Sequence, residues 1–168
     1  MRQDNRGVSL VEVMVVVAIM AVVGGVGVWG INAMSGKPAQ QCAQKVVYSL
    51  ERHRTSAMSK VDAKYRLVEN GGKIYVEEYM TNDPGGLPSP LPAPATSTEI
   101  GASGVKVQYT LGADPTLHDL PLELQFDRST GAFKPQSGGS YCTKIVVTRG
   151  GREHTVTLVP LTGKVYID

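Results

Sequence analysis

The chain has 168 residues, of which 42% are hydrophobic and 19% charged, with a formal net charge of +2. Once the apolar N-terminal segment is set aside, this length leaves room for one modest domain and excludes two separate globular domains. The small net charge, with Lys and Arg mixed among Asp and Glu, does not predict nucleic acid or anionic lipid as the main partner.

The N-terminal segment has an uneven charge distribution. Residues 1–7 are polar and include Arg2 and Arg6, whereas residues 8–31 contain one ionisable side chain, that of Glu12. At a rise of about 1.5 Å per residue, a helix over residues 8–31 could cross a hydrocarbon layer of about 30 Å. The preceding arginines predict a cytoplasmic N-terminus and a domain on the other side of the membrane. A cleaved secretory signal is the alternative interpretation.

Residues 32–61 are predicted to be an amphipathic continuation of this helix. Gly36 and Pro38 predict a break or a kink before it. His53, between Arg52 and Arg54, is expected on an exposed part of the helix. Apolar residues then recur at helical spacing, at Cys42, Val46, Val47, Leu50, Ala57, Met58 and Val61.

Residues 62–168 are predicted to form a globular antiparallel β domain. Segments 65–69 and 73–79 flank Gly71 and Gly72, which predicts a β-hairpin. The many prolines of residues 81–103 predict a long, exposed and mobile loop. Further strands are predicted at 105–111, 122–126, 142–149, 153–158 and 164–167. The predicted fold class is α+β, with a long N-terminal helix, half transmembrane and half amphipathic, packed against an antiparallel β-sheet.

The two cysteines, Cys42 and Cys142, are too far apart in the sequence for a zinc knuckle or a Cys-x-x-Cys redox motif. Outside the cytoplasm they could form a disulfide that closes a long loop. Because the sequence does not give their separation in space, it leaves open whether they pair or remain free thiols.

The sequence contains few residues that are candidates for a catalytic or metal-binding role. They are the two cysteines and His53, His118 and His154. None of them shows metal-ligand spacing, a nucleophile elbow or a glycine-rich phosphate loop. We therefore expect a protein that is not an enzyme and that has no cofactor and no metal.

The order of a short basic leader ending in Gly7, a carboxylate at Glu12 and an apolar helix resembles the processing site of type IV prepilins and type II secretion pseudopilins. The resemblance implies that a prepilin peptidase cuts after Gly7 and that the new N-terminal residue, Val8, is methylated. Two features depart from the family, since Val8 occupies a position that is most often Phe and the helix lacks the proline of many major pilins.

Cleavage after Gly7 would give Glu12 a partner. The cut creates a positive amine at Val8, and Glu12 lies four residues further along the same helical face. In a stack of subunits, Glu12 of one chain could neutralise the Val8 amine of its neighbour. The resemblance implies that this carboxylate serves filament assembly.

A weaker resemblance concerns the last third of the chain. Segments 124–131 and 161–165 look like the C-terminal pattern of H-type minor pseudopilins and FimT-like minor pilins. This implies a minor structural subunit of a pilus or pseudopilus. Its partners would be the prepilin peptidase, other pilin or pseudopilin subunits and the inner-membrane assembly platform. It would lie in the bacterial inner membrane with its domain outside, and later in a periplasmic or cell-surface filament.

The alternative is an anchored extracytoplasmic binding protein, for DNA or a surface ligand, that does not form a filament. Its basis is a group of basic side chains that could contact phosphates or could simply be solvated charges. They are Arg52, Arg54, Lys60, Lys64, Arg149 and Arg152.

Overall fold

The structure is a computed structural model. It describes the backbone of residues 10–34, 37–60 and 62–168, and the side chains of residues 10–22, 37–60 and 62–168. Contacts divide the chain into two compact units, Met1–Ser35 and Gly36–Asp168. The predicted leader, residues 1–7, lies outside the described residues.

Among the described residues of the first unit is helix α1 (Leu10–Met34), with Glu12 in its first turn. Between Leu10 and Val22 its large apolar side chains are exposed. A search of the described residues finds no helix with the length and hydropathy that a membrane span requires.

The second unit begins with helix α2 (Lys37–Ala57). Pro38 lies in its first turn, where the missing N–H has no intrahelical acceptor to lose. The amphipathic pattern is confirmed, but Met58 follows the helix and is exposed. His53 is completely buried, so its expected exposure was wrong. The buried positions have helical spacing and are Ala39, Cys42, Ala43, Val46, Leu50, His53 and Ala57.

The β domain contains two antiparallel sheets where the sequence suggested one. Its strands are β1 (Asp62–Asn70), β2 (Lys73–Thr81), β3 (Thr96–Gly101), β4 (Lys106–Leu111), β5 (His118–Asp119), β6 (Leu122–Gln125), β7 (Cys142–Arg149), β8 (Arg152–Val159) and β9 (Lys164–Ile167). Sheet I has the order β3-β2-β1-β6 and sheet II the order β5-β4-β7-β8-β9. Helices with antiparallel sheets confirm the α+β class.

The predicted hairpin is confirmed as β1 and β2, which pair from Asp62 with Thr81 to Asn70 with Lys73. Gly71 and Gly72 form its turn at φ values of 60° and 73°. Two consecutive residues at positive φ are the requirement of a type I′ two-residue hairpin turn, and glycine meets it without steric cost.

The predicted loop over residues 81–103 is wrong in its last part, because β3 lies within it. Ser97 and Thr98 pair with Glu77 and Val76 of β2. The many prolines of this segment predicted a loop, and its short polar strand has no apolar alternation that would have indicated a strand. The strand forms because it can hydrogen-bond to the open edge of β2. The two-residue strand β5, which pairs with β4, was also missed because it is too short to show any periodicity.

One hydrophobic core lies between α2 and the sheets, and α2 contacts strands of both. Tyr65 and Ile74 of sheet I and Ile145 and Val156 of sheet II are completely buried. In β1 and β8 the core residues alternate with less buried ones, as expected for a sheet with one buried face, whereas residues 145–147 of β7 are all buried. The helix therefore supplies the surface on which both sheets close.

Candidate functional site

The N-terminal processing site is described only in part. Gly7 and Val8, the predicted cleavage and methylation residues, lie outside the described residues. Glu12, the predicted assembly residue, lies in the first turn of α1 and is exposed. A carboxylate at this end of a helix is favoured by the helix dipole.

Exposed apolar side chains surround the helix next to Glu12. Val15, Val16 and Val17 are 51%, 46% and 60% exposed, and successive residues point about 100° apart around a helix. The helix therefore has no polar face along this stretch. Helices that are apolar on all sides are typically found buried in a protein or in a membrane.

The sequence left open whether the two cysteines pair, and in the structure both are free, buried thiols. Cys42 lies on α2 against β3, where a Cβ atom added to Gly101 would be 3.1 Å from its Sγ. Cys142 begins β7 in sheet II and donates a weak hydrogen bond of 3.7 Å to the carbonyl of Lys144. Burial raises the pKa of Cys42 to about 11 and that of Cys142 to about 12. Both are therefore uncharged and weakly nucleophilic at neutral pH.

His53 is enclosed by aromatic rings. The centroids of Tyr65 and Phe126 lie 5.5 and 5.9 Å from that of its imidazole. Neither ring nitrogen has a hydrogen-bond partner among the described residues. Burial, together with the charge of Arg52, lowers the pKa of His53 to about 4. His53 is therefore neutral at physiological pH.

The other two histidines lie elsewhere in the domain. His118 stacks on Tyr109 with their ring centroids 5.4 Å apart. His154 is half-buried on β8. In the part of the chain that the structure describes, no group of three or more His, Cys, Asp or Glu side chains is placed to hold a metal ion.

Two distant glycines meet at the C-terminal end of α2. The Nε of Arg54 donates a hydrogen bond of 2.9 Å to the carbonyl of Gly131, and Gly163 lies so close that a Cβ there would overlap the same carbonyl oxygen. The N–H of Phe133 also bonds to the carbonyl of Pro160 at 2.9 Å. The segments that resemble H-type subunits, 124–131 and 161–165, are thus joined in space, which the sequence did not predict.

Asp127 organises the turn that leads to Gly131. Its Oδ1 accepts hydrogen bonds of 3.0 Å from the backbone N–H groups of both Ser129 and Thr130, and others from their hydroxyls. These hydrogen bonds, that of the Ser129 hydroxyl first, lower the pKa of Asp127 to about 2. The ionised form of this carboxyl therefore favours the turn.

The basic side chains of the suggested patch are not brought together. Arg52 pairs with the buried Glu78 at 2.7 Å on the face of sheet I that meets α2. Lys64 lies on the opposite face, where it pairs with Glu123 at 3.1 Å. Arg149 and Arg152 face each other at the end of the β7–β8 hairpin. Charges on opposite faces of a sheet cannot contact one nucleic-acid backbone as a single surface.

Residues 2–28 match the family model described as the prokaryotic N-terminal methylation motif. No curated protein and no solved structure gives a significant match. The matched residues include Gly7, Val8 and Glu12 and leave out the unit Gly36–Asp168. The chain carries the N-terminal methylation motif, which is the signature of type IV pilin and pseudopilin precursors.

Proposed function

We propose that this chain is the precursor of a structural, minor subunit of a type IV pilus or a type II secretion pseudopilus. The observation that carries the proposal is the methylation motif over residues 2–28, with Glu12 in the first turn of an apolar helix. A prepilin peptidase cuts after Gly7, and Val8 becomes the methylated N-terminus.

The precursor is held in the inner membrane by residues 8–31, with the leader on the cytoplasmic side. This step is supported by the sequence, which has no charged residue between Val13 and Gly30 and has Arg2 and Arg6 before the helix. It is also supported by the apolar side chains exposed around α1. In the filament, helices of other subunits replace the lipid.

Glu12 sets the register between subunits. A carboxylate within an apolar layer costs about 2.5 to 3.5 kcal/mol at a helix centre and less near an end. The amine that cleavage leaves at Val8 of a neighbouring subunit offsets this cost, because two opposite charges in an apolar medium attract strongly. The assembly platform and the other pilin or pseudopilin subunits are the partners of this step.

The unit Gly36–Asp168 is the part carried on the filament surface, in a pilin-like arrangement of one helix and antiparallel sheets. The H-type assignment rests on the resemblance of segments 124–131 and 161–165, whose glycines Gly131 and Gly163 lie close together in this unit. Its buried thiols and its isolated histidines favour a structural role over a catalytic one.

Replacing Gly7 with leucine is expected to block cleavage, since a peptidase that cuts after a small residue excludes a branched side chain there. The intact mass of the purified chain, expressed with the peptidase, measures the result. The wild type should begin at Val8 and the variant should keep residues 1–7. Gln3→Leu, in the same leader, is the control and should be cut normally. A Gly7→Leu chain that begins at Val8 would show that the cleavage assignment is wrong.

Replacing Glu12 with alanine is expected to leave cleavage intact and to reduce incorporation into filaments strongly. Glu12→Gln keeps the shape and removes the charge, so it should fail to the same degree. The fraction of subunit found in sheared filaments is the measurement, and Glu69→Ala, which removes an exposed carboxylate of β1, is the control. Normal incorporation of Glu12→Gln would rule out the charge pairing.

A further inference from the structure

A cavity of about 260 Å³ opens between α2 and sheet I. Its apolar lining includes Val76 of β2 and Ile100 of β3, both of which are buried. All of its lining residues belong to the unit Gly36–Asp168. The volume lies just below the range of about 300–1,000 Å³ that is usual for drug-sized ligands. It therefore suits a ligand with roughly ten non-hydrogen atoms.

Glu78 supplies a buried negative charge to this cavity. Its side chain is 4% exposed, and Arg52 donates to its Oε2 at 2.7 Å. Among the described residues, this is the one side-chain hydrogen bond that the carboxylate receives. A carboxylate has about four acceptor positions, so a single ion pair leaves it able to accept further hydrogen bonds. Glu78 therefore offers acceptor capacity for a cationic N–H donor inside the cavity.

Lys45 supplies a positive charge to the same cavity from an exposed position on α2. It has no ion pair within the part of the chain that the structure describes, whereas Glu99, another lining residue, pairs with Lys73 at 2.8 Å. Lys45 and Arg52 project from the same side of α2, seven residues or about two turns apart. The cavity thus combines a deep carboxylate, an accessible ammonium group and an apolar floor.

We propose that this cavity binds a small zwitterion with an apolar side chain, of the class of free apolar α-amino acids. The ligand's ammonium group bonds to Glu78, its carboxylate to Lys45, and its side chain packs on Val76 and Ile100. An amine without a carboxylate would leave Lys45 unpaired beside a second cation. A carboxylate without an amine would leave the remaining acceptor positions of Glu78 without a donor. Only a ligand with both charges satisfies both residues.

The test is equilibrium dialysis of the full chain in detergent against radiolabelled L-leucine. Unlabelled L-leucine, 3-methylbutylamine and 4-methylpentanoate are the competitors, since the amine lacks the carboxylate and the acid lacks the ammonium group. We expect leucine to compete at least about tenfold better than either, the factor for one lost charge contact of modest strength. Absence of leucine binding, or equal competition by one analogue, would overturn the proposal.

Two variants assign the charges. Lys45→Met should lower the affinity for leucine about tenfold or more and leave the affinity for 3-methylbutylamine unchanged. Because Lys45 is exposed, this substitution should not disturb the fold. Glu78→Gln should lower the affinity for both leucine and 3-methylbutylamine. Because Arg52 loses its partner in this variant, near-ultraviolet circular dichroism is used to confirm that the variant is folded. Lys144→Met, at an exposed lysine of sheet II, is the matched control and should bind as the wild type does. Full leucine affinity in Lys45→Met, or an equal loss in Lys144→Met, would show that the assignment is wrong.

Discussion

Gly163→Ala is expected to lower the free energy of unfolding by about 3 to 5 kcal/mol, which is at the upper end for a single substitution. Gly163 has a φ of 65°, a conformation that costs an L-residue about 1 to 2 kcal/mol. In addition, the new Cβ would overlap the carbonyl oxygen of Gly131 and lie 2.9 Å from the Nε of Arg54. The backbone of two turns would have to separate, and the hydrogen bond from Arg54 to Gly131 would be lost.

Gly71→Ala is the control for the cost of placing an L-residue at positive φ. Gly71 has a similar φ of 60°, and a Cβ there would meet nothing within 4 Å. It should therefore cost only the conformational term of about 1 to 2 kcal/mol. Urea unfolding followed by near-ultraviolet circular dichroism measures both variants. Equal losses in the two would mean that the close approach of Gly163 and Gly131 contributes nothing to stability.

Lowering the pH from about 6.5 to about 4 is expected to destabilise the domain through His53. The unfolded chain binds a proton at the ordinary pKa of this side chain, near 6.5, whereas burial lowers the folded value to about 4. Between these values the unfolded state holds more protons, so stability falls as the pH falls. This difference in pKa lowers the free energy of unfolding by about 3 kcal/mol once the pH is below both values.

His53→Leu should remove this loss, because an apolar side chain of similar volume cannot take up a proton. Since both imidazole nitrogens lack partners in the described structure, the variant should be at least as stable as the wild type at pH 7. Urea unfolding at pH 7, 5.5 and 4.5 measures the difference. His154→Gln is the control, and an equal flattening of the pH profile by that variant would contradict the assignment to His53.

Asp127 also makes stability depend on pH, but at lower pH than His53 does, so the two effects can be measured separately. Its carboxyl has a pKa of about 2 in the folded state, against an ordinary value of 3.8. The stability that it provides is complete above 3.8 and is lost as the pH falls toward 2. Measurements at pH 4.5 and above therefore report on His53 with Asp127 still ionised.

The sequence alone predicted the features that depend on local order. The motif of Gly7 and Glu12 is a matter of spacing along the chain, and the match over residues 2–28 confirms the motif. The spacing of apolar residues predicted the buried face of α2, and the paired Gly71 and Gly72 predicted the first hairpin. Helical periodicity and turn chemistry act over a few residues, so they can be read from one sequence.

Tertiary structure decided what depends on distant contacts. It buried His53 between Arg52 and Arg54, because Tyr65 and Phe126 cover that side of the helix. It placed β3 in a proline-rich segment, because the edge of β2 was open to pairing.

The tertiary structure also brings Gly131 next to Gly163 and forms the cavity that Glu78 lines. The contacts that set these features join residues at least 12 positions apart, such as His53 and Tyr65, which meet only when the chain is folded. Local sequence patterns do not contain such contacts, because the energy that selects them comes from burial and pairing across the whole domain.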